Sequence, residues 1–200
     1  MKRVGFTLIE LIVVVSIIAI LAAIAIPNFI EAQTRAKVSR AKSDLRTIAI
    51  AVEAYCTDHG KYPDPLQPYK ESLSTVNELS TPVAYLTTTQ LPDAFPPTWV
   101  ETTPPPPPGY SPTYWYNSFS GAMGKELSEA SGFPAFSGYC LCSVGPDRVS
   151  NAATLLPFYI DRDPKRERNC LDLLYDPTNG TISSGDIARW AGKAQKYRAN

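Results

Sequence analysis

The chain has 200 residues and equal numbers of basic and acidic side chains, 19 of each. This length suits one domain with a buried core, and zero net charge argues against a nucleic-acid binder that works through a basic field. The single histidine, His59, leaves little material for a histidine-rich metal site or a Ser/His/Asp active site. The composition therefore favours a protein that is not an enzyme.

The first predicted element is an apolar segment over residues 6–26, which contains only three polar residues. As a helix it would be about 31 Å long, enough to cross the hydrocarbon core of a bilayer. Lys2 and Arg3 precede it, so the positive-inside rule places the rest of the chain outside the cytoplasm. The sequence thus predicts a single-pass membrane segment with an extracytoplasmic head.

A cleaved secretory signal is the first alternative for this segment, because Ala23-Ile24-Ala25 has the small-x-small pattern of a cleavage site. Two residues argue against it. Glu10 places a charge at membrane depth, which costs about 2.5–3.5 kcal/mol on insertion scales. Pro27 lies just beyond the supposed cut, in a sequence that continues as a helix. A plain uncleaved anchor is the second alternative.

The motif Gly5-Phe6-Thr7-Leu8-Ile9-Glu10-Leu11 resembles the processing site of type IV prepilins and type II secretion pseudopilins. In that family a membrane peptidase cuts after the glycine and N-methylates the new first residue. The resemblance implies a leader over residues 1–5, cleavage between Gly5 and Phe6, and methylation of Phe6. It also identifies Glu10 as the family's glutamate and Pro27 as its helix-bending proline.

Glu10 is expected to act in assembly. Cleavage leaves a new amino group at Phe6, and Glu10 of one subunit can pair with that amine of a neighbour. A carboxylate in lipid gains most from a cationic partner, so packing into a filament relieves the cost of its burial. The alternative is that Glu10 only reaches to the membrane interface.

The helix is predicted to continue through Pro27, which should bend it rather than end it. Residues 27–60 form its amphipathic part, and Gly60 is suited to a left-handed C-cap. The whole helix would have about 53 residues and be about 80 Å long. Its second half carries apolar residues at steps of three and four, namely Val38, Ala41, Leu45, Ile48, Val52 and Tyr55.

After the helix, Tyr55-x-x-Asp58-x-Gly60-x-Tyr62-Pro63 resembles the turn of major type II pseudopilins. Residues 61–135 are a Pro-rich variable region, with 13 prolines between positions 63 and 113. The run Pro104–Pro108 should be polyproline II. Short helices are predicted at Leu73–Leu79 and Gly124–Ala130. The aromatic residues at 110–119 are dense enough for a strand or for packing on the head.

The C-terminal residues 136–200 are predicted to form a β-rich head. Phe136–Val144 and Leu171–Tyr175 read as strands, the second before a strong turn sequence. The segments 143–147 and 185–187 resemble the end of major pseudopilins, which have a small antiparallel sheet. We therefore expect an α+β fold with a long N-terminal helix, a small C-terminal antiparallel sheet and long Pro-rich loops.

No cofactor is required, but the resemblance implies a structural calcium ion, because many members of the family carry a calcium-binding loop. Oxygen ligands would come from the side chains of Asp147, Asp176, Asn179 and Asp186, provided that their loops converge. The alternative is that these residues bond to their own backbone in turns.

Four cysteines, Cys56, Cys140, Cys142 and Cys170, are disulfide candidates in an oxidising compartment. Cys140 and Cys142 share one face of the predicted strand, so each is expected to pair with Cys56 or Cys170 rather than with the other. A Cys-x-Cys redox or zinc pair is the alternative.

These features predict a structural subunit of a homo-oligomeric helical filament, in first place the pseudopilus of a type II secretion system. A type IV pilus subunit for adhesion, motility or DNA uptake is the alternative, and a membrane-anchored enzyme or binding protein is the alternative of another class. The resemblance implies as partners the prepilin peptidase, an inner-membrane assembly platform and its ATPase. The subunit would wait in the lipid of a bacterial inner membrane and then enter a periplasmic or extracellular filament, without nucleic acid.

Overall fold

The computed structural model describes residues 7–64, 73–96, 113–118, 136–148, 174–176, 178 and 185–194. It has one long helix, α1 (Leu8–His59), and three strands, β1 (Trp115–Ser118), β2 (Phe136–Ser143) and β3 (Ile187–Ala194). Two 3₁₀ turns, Leu73–Thr75 and Asn77–Leu79, lie between the helix and the sheet. The predicted α+β class is confirmed.

Helix α1 has 52 residues, which makes it about 78 Å long. Thr7 caps its start, and the helix continues through Pro27 without a break. It ends at His59, and the C-cap residue Gly60 has a φ of 70° and donates its N–H to the carbonyl of Cys56. Glycine adopts this left-handed conformation without steric cost because it has no Cβ. The predicted C-cap is therefore confirmed.

The second half of α1 packs against the head through the apolar stripe that the sequence predicts. All six predicted stripe residues are buried, together with Ala49 and Ala51. They form one core with Tyr116 and Tyr139 of the sheet and with apolar side chains of the two 3₁₀ turns. The head therefore folds onto the second half of α1, residues 38–55, which we call the upper half.

The sheet is antiparallel with β2 in the centre and β1 and β3 beside it. Residues alternate between its two faces, so Tyr139 and Leu141 of β2 lie on the face of their partners Tyr116 and Ala191. This face belongs to the core on α1. Cys140 and Cys142 lie on the opposite face, and the prediction that they share one face is confirmed.

Strand β2 confirms the strand predicted at Phe136–Val144, but β3 was not predicted. Its sequence, Ile-Ala-Arg-Trp-Ala-Gly-Lys-Ala, is rich in residues of low β-propensity and lacks a clean alternation. Eight residue pairs with β2 hold it in the sheet instead. Leu174, from the predicted strand Leu171–Tyr175, forms an isolated parallel bridge with Asp186.

The predicted helix Leu73–Leu79 appears as the two 3₁₀ turns, since seven residues are too few for a stable α-helix without strong packing. The predicted strand among the aromatic residues at 110–119 is confirmed by β1. The polyproline run at Pro104–Pro108 and the helix at Gly124–Ala130 lie outside the described residues.

Candidate assembly site

The first half of α1, residues 8–30, which we call the lower half, has no apolar partner among the described residues. Fifteen large apolar side chains between Leu8 and Ile30 are exposed, at values from 47% for Val14 to 73% for Leu8. At about 1.5 kcal/mol each, their removal from water is worth on the order of 20 kcal/mol, more than the whole stability of a typical domain. This surface therefore needs a lipid or protein environment.

Length and composition also suit this half of the helix to a membrane. Its most apolar window of 18 residues has a mean hydropathy of 3.0 and is 0% buried by the rest of the chain. A helix in the core of a soluble domain would have much of that window covered. Among the described residues this is the one helix that is long and apolar enough to cross a bilayer.

Glu10 has hydrogen-bond partners within its own helix. Its Oε2 accepts from the backbone N–H of Thr7 at 2.9 Å and from the Thr7 hydroxyl at 2.7 Å. The backbone N–H of Glu10 in turn donates to Thr7 Oγ1 at 3.3 Å. This is a capping box, which the Thr-x-x-Glu spacing could have revealed in the sequence. The carboxylate is thus partly satisfied before any neighbour arrives.

Three other residues were predicted to matter at the N-terminal helix: Gly5, Phe6 and Pro27. Gly5 and Phe6 lie outside the described residues, so the cleavage and methylation site stays a prediction. Pro27 lies within α1, where the missing N–H leaves the carbonyl four residues earlier without its helical donor. The helix tolerates this position between its apolar and amphipathic halves.

The upper end of α1 is fixed by the residues of the predicted Tyr-Gly-Tyr-Pro turn. The ring of Tyr62 meets the ring of Tyr139 edge to face at 5.1 Å between centroids. The hydroxyl of Tyr116 donates to the carbonyl of Pro63 at 2.8 Å. The motif therefore holds the helix end against the sheet.

Two tyrosine hydroxyls donate to carboxylates that the sequence analysis did not single out. Tyr114 donates to Asp44 Oδ2 and Tyr55 donates to Glu78 Oε2, each at 2.7 Å. Asp44 lies between Ala41 and Ile48 at helical spacing, so its place beside the apolar stripe was visible in the sequence. Burial, aided by the bond to Glu78, raises the pKa of Tyr55 to about 12.

Asp93 is a buried carboxyl group of the head, with 6% of its surface exposed. Its Oδ1 accepts from the Ser143 hydroxyl at 2.6 Å and from the backbone N–H of Phe95 at 2.9 Å. Its Oδ2 is buried with no hydrogen-bond partner among the described residues. Burial raises the pKa of Asp93 to about 6, and the hydrogen bonds oppose that rise. No local sequence signal marks this position.

The predicted disulfide between Cys56 and the strand cysteines is wrong. Cys56 is a free thiol, and burial raises its pKa. It lies on α1, on the side of the sheet where Tyr139 and Leu141 enter the core. Cys140 and Cys142 alternate with those residues and so lie on the far face. Cys170 lies outside the described residues.

The loops of the predicted calcium site do converge, but their carboxylates do not form a cage. A Cβ on Gly145 would collide with the backbone of Gly185, and one on Gly185 would collide with that of Leu174. Among the described residues no three His, Cys, Asp or Glu side chains are grouped for a metal ion.

The turn alternative holds for Asp176. Its Oδ1 accepts from the N–H of Thr178 at 2.8 Å and from the Thr178 hydroxyl at 2.7 Å. Asp186 is fully buried, Asp147 lies in the turn after β2, and Asn179 lies outside the described residues. The described residues alone form no calcium site, and because Asn179 lies outside them the predicted four-residue site stays a prediction.

Comparison with known proteins supports the N-terminal assignment. The family model of the prokaryotic N-terminal methylation motif matches residues 2–26. The chain is 53% identical over 60 residues to the type IV major pilin protein PilA of Myxococcus xanthus. It is 46% identical over 63 residues to the type II secretion system core protein G of Pseudomonas aeruginosa. No solved structure matches the chain.

These matches cover a minority of each chain. The segment similar to the Myxococcus pilin is 30% of this chain and 27% of the pilin, and that similar to core protein G is 32% and 44%. The chain thus matches less than half the length of these relatives. It carries the prokaryotic N-terminal methylation motif and is similar, over about a third of its length, to the superfamily of type IV pilins and type II secretion pseudopilins.

Proposed function

We propose that this chain is a structural, non-enzymatic subunit of a pilus-like filament, in first place the pseudopilus of a type II secretion system. One observation carries the proposal: a single helix exposes an unbroken apolar half and packs its other half under a folded head. Lipid can cover the apolar half before assembly and the helices of other subunits can cover it afterwards.

The work of the subunit is then mechanical. In the membrane the apolar half of α1 lies in lipid, and the Glu10 carboxylate is held by Thr7. On assembly the same carboxylate can exchange part of this bonding for the Phe6 amine of a neighbour, a charge-assisted contact that gains strength where water is excluded. An inner-membrane platform and an ATPase would drive this transfer.

N-terminal processing provides the experiment. Intact-mass and N-terminal peptide mass spectrometry of the membrane-bound protein should find a chain that starts at methylated Phe6. A chain that starts at Met1, or at Ile26 after a signal-peptidase cut, would contradict the proposal.

The type IV pilus is the second candidate, favoured by the 53% identity to a type IV major pilin. The two candidates share the physics of the subunit and differ in what the filament does. Deletion of the gene should abolish secretion of exported proteins in the first case. In the second it should remove surface filaments and leave secretion intact.

A further inference from the structure

A small pocket lies where α1 meets the loop that follows the second 3₁₀ turn. It has a volume of about 220 Å³. We call it the helix-end pocket; its lining includes Tyr55, His59, Glu78, Pro82, Val83 and Tyr85. None of these residues takes part in the assembly contacts proposed above.

Three of the residues that line the helix-end pocket carry aromatic rings. The rings of Tyr55 and His59 are stacked, with centroids 4.1 Å apart and planes 10° from parallel. The ring of Tyr85 stands edge-on to both, at 5.6 Å from Tyr55 and 6.2 Å from His59. Aromatic faces attract cations, by about 0.5–2 kcal/mol depending on how far water is excluded.

The charge at the pocket is negative. Glu78 accepts one hydrogen bond, from the Tyr55 hydroxyl, and Asp58 beside the pocket accepts one from the Tyr85 hydroxyl, each at 2.7 Å. A carboxylate can accept about four hydrogen bonds. The ion pairs of the described residues involve neither group, and no Lys or Arg lines the pocket. Aromatic rings and an unneutralised carboxylate together select a cation.

We propose that the helix-end pocket receives the guanidinium of Arg46 from a second copy of the chain in the filament. This inference rests on the proposed function. Arg46 in the upper half of α1 and Lys37 just below it are exposed bases that form no ion pair within the described part of the chain. A planar guanidinium both stacks on aromatic rings and bonds a carboxylate, which favours Arg46 over the lysine.

The geometry of staggered parallel helices allows this contact. Arg46 precedes Tyr55 by nine residues, or about 13.5 Å along α1. A neighbouring copy that is shifted toward the head by this distance brings its Arg46 to the level of the helix-end pocket. The contact would join α1 of one subunit to the head of the next, far above the pairing of Glu10 with the Phe6 amine.

Charge reversal tests the proposal in cells that assemble the filament, with sheared filament measured against total membrane-bound subunit. Glu78→Gln keeps an acceptor for Tyr55 and should lower the yield at least threefold, and Glu78→Arg should lower it further. Adding Arg46→Glu to Glu78→Arg should restore most of the yield. Lys37→Glu makes the same charge change on the same helix and should restore none.

Three outcomes would overturn the proposal. One is a wild-type filament yield from Glu78→Gln. The control for this variant is Asp64→Asn, which removes a nearby negative charge outside the pocket. The second is a loss that Arg46→Glu does not repair although the melting curves of the variants in detergent match the wild type. The third is repair by Lys37→Glu instead. A wild type that forms no filaments would contradict the proposed function itself.

Discussion

The two halves of α1 show how one continuous helix can carry two different surfaces. From Leu8 to Ile30 its large apolar side chains are all exposed, whereas from Val38 to Tyr55 a narrow apolar stripe is buried. The backbone is the same in both halves, so the difference lies in the sequence pattern alone. An all-round apolar surface suits an environment that covers every face, and a stripe suits a head that covers one.

The largest expected effect comes from the buried stripe. Ile48→Ala removes a side chain that is fully buried in the core, and should lower the free energy of unfolding of the head by about 2–5 kcal/mol. Ile50, two residues further along the helix, is 63% exposed. Ile50→Ala should therefore change the free energy of unfolding by less than about 0.5 kcal/mol. Thermal or denaturant unfolding of the full chain in detergent measures both. Equal losses would mean that the head does not pack on this stripe.

A charge in the lower half should act on the membrane instead of the head. Ile18 and Ile50 are similarly exposed in the isolated chain, at 59% and 63%. Ile18→Asp should cost about 2.5–3.5 kcal/mol in membrane insertion, because the carboxylate enters the hydrocarbon core. Ile50→Asp should cost nothing there. Cell fractionation that finds both variants equally in the membrane would show that the lower half does not lie in lipid.

A smaller effect is expected in the head, whose stability should depend on pH through Asp93. The pKa of Asp93 rises from 3.8 to about 6 on folding, so the folded head favours the protonated carboxyl. The stability that this proton adds is full below about pH 4 and is lost as the pH rises through 6. The facing groups are the Ser143 hydroxyl, bonded to Asp93, and the Asp44 carboxylate, whose charge adds to the rise.

Asp93→Asn should remove this dependence. Between pH 4 and pH 7 the wild type should lose on the order of 2 kcal/mol relative to the variant, whatever the fixed cost of the substitution. Melting temperatures of both proteins across this range give the difference. A difference that stays constant with pH would show that Asp93 does not change its protonation there.

The sequence predicted those parts of the fold that local physics decides. The apolar segment, the stripe from Val38 to Tyr55 and the cap at Gly60 each follow from side chains close together along the chain. Strand β3 was missed because pairing with β2, not its own propensity, makes it a strand. The Cys56 disulfide was wrong because the sequence does not say which face of the sheet meets α1.

The contacts of the candidate site also divide into local ones, which the sequence predicts, and long-range ones, which it does not. Glu10 and its spacing to Thr7 can be read from the sequence, since the capping box is a local motif. The contacts of Tyr55 with Glu78 and of Tyr114 with Asp44 join residues 23 and 70 positions apart. Such contacts depend on how the head folds back on the helix, and no spacing rule along the chain predicts them.

We expect the lower half of α1 to exchange lipid for other subunits on assembly, and Glu10 to be the group that gains a partner. The most direct test compares Glu10→Gln and Glu10→Ala with the wild type. Glu10 lies about 42 Å below Val38, the first buried residue of the stripe, so the head should melt unchanged. Membrane insertion should be unchanged or improved, because an intramembrane charge is gone.

The measurement is the ratio of sheared filament to total membrane-bound subunit, with Glu31→Gln as a control that removes a carboxylate higher on the same helix. We expect a strong loss of filament from both Glu10 variants and a normal yield from the control. Normal filament yield from both Glu10 variants would contradict this expectation, because apolar packing of the lower half would then drive assembly alone.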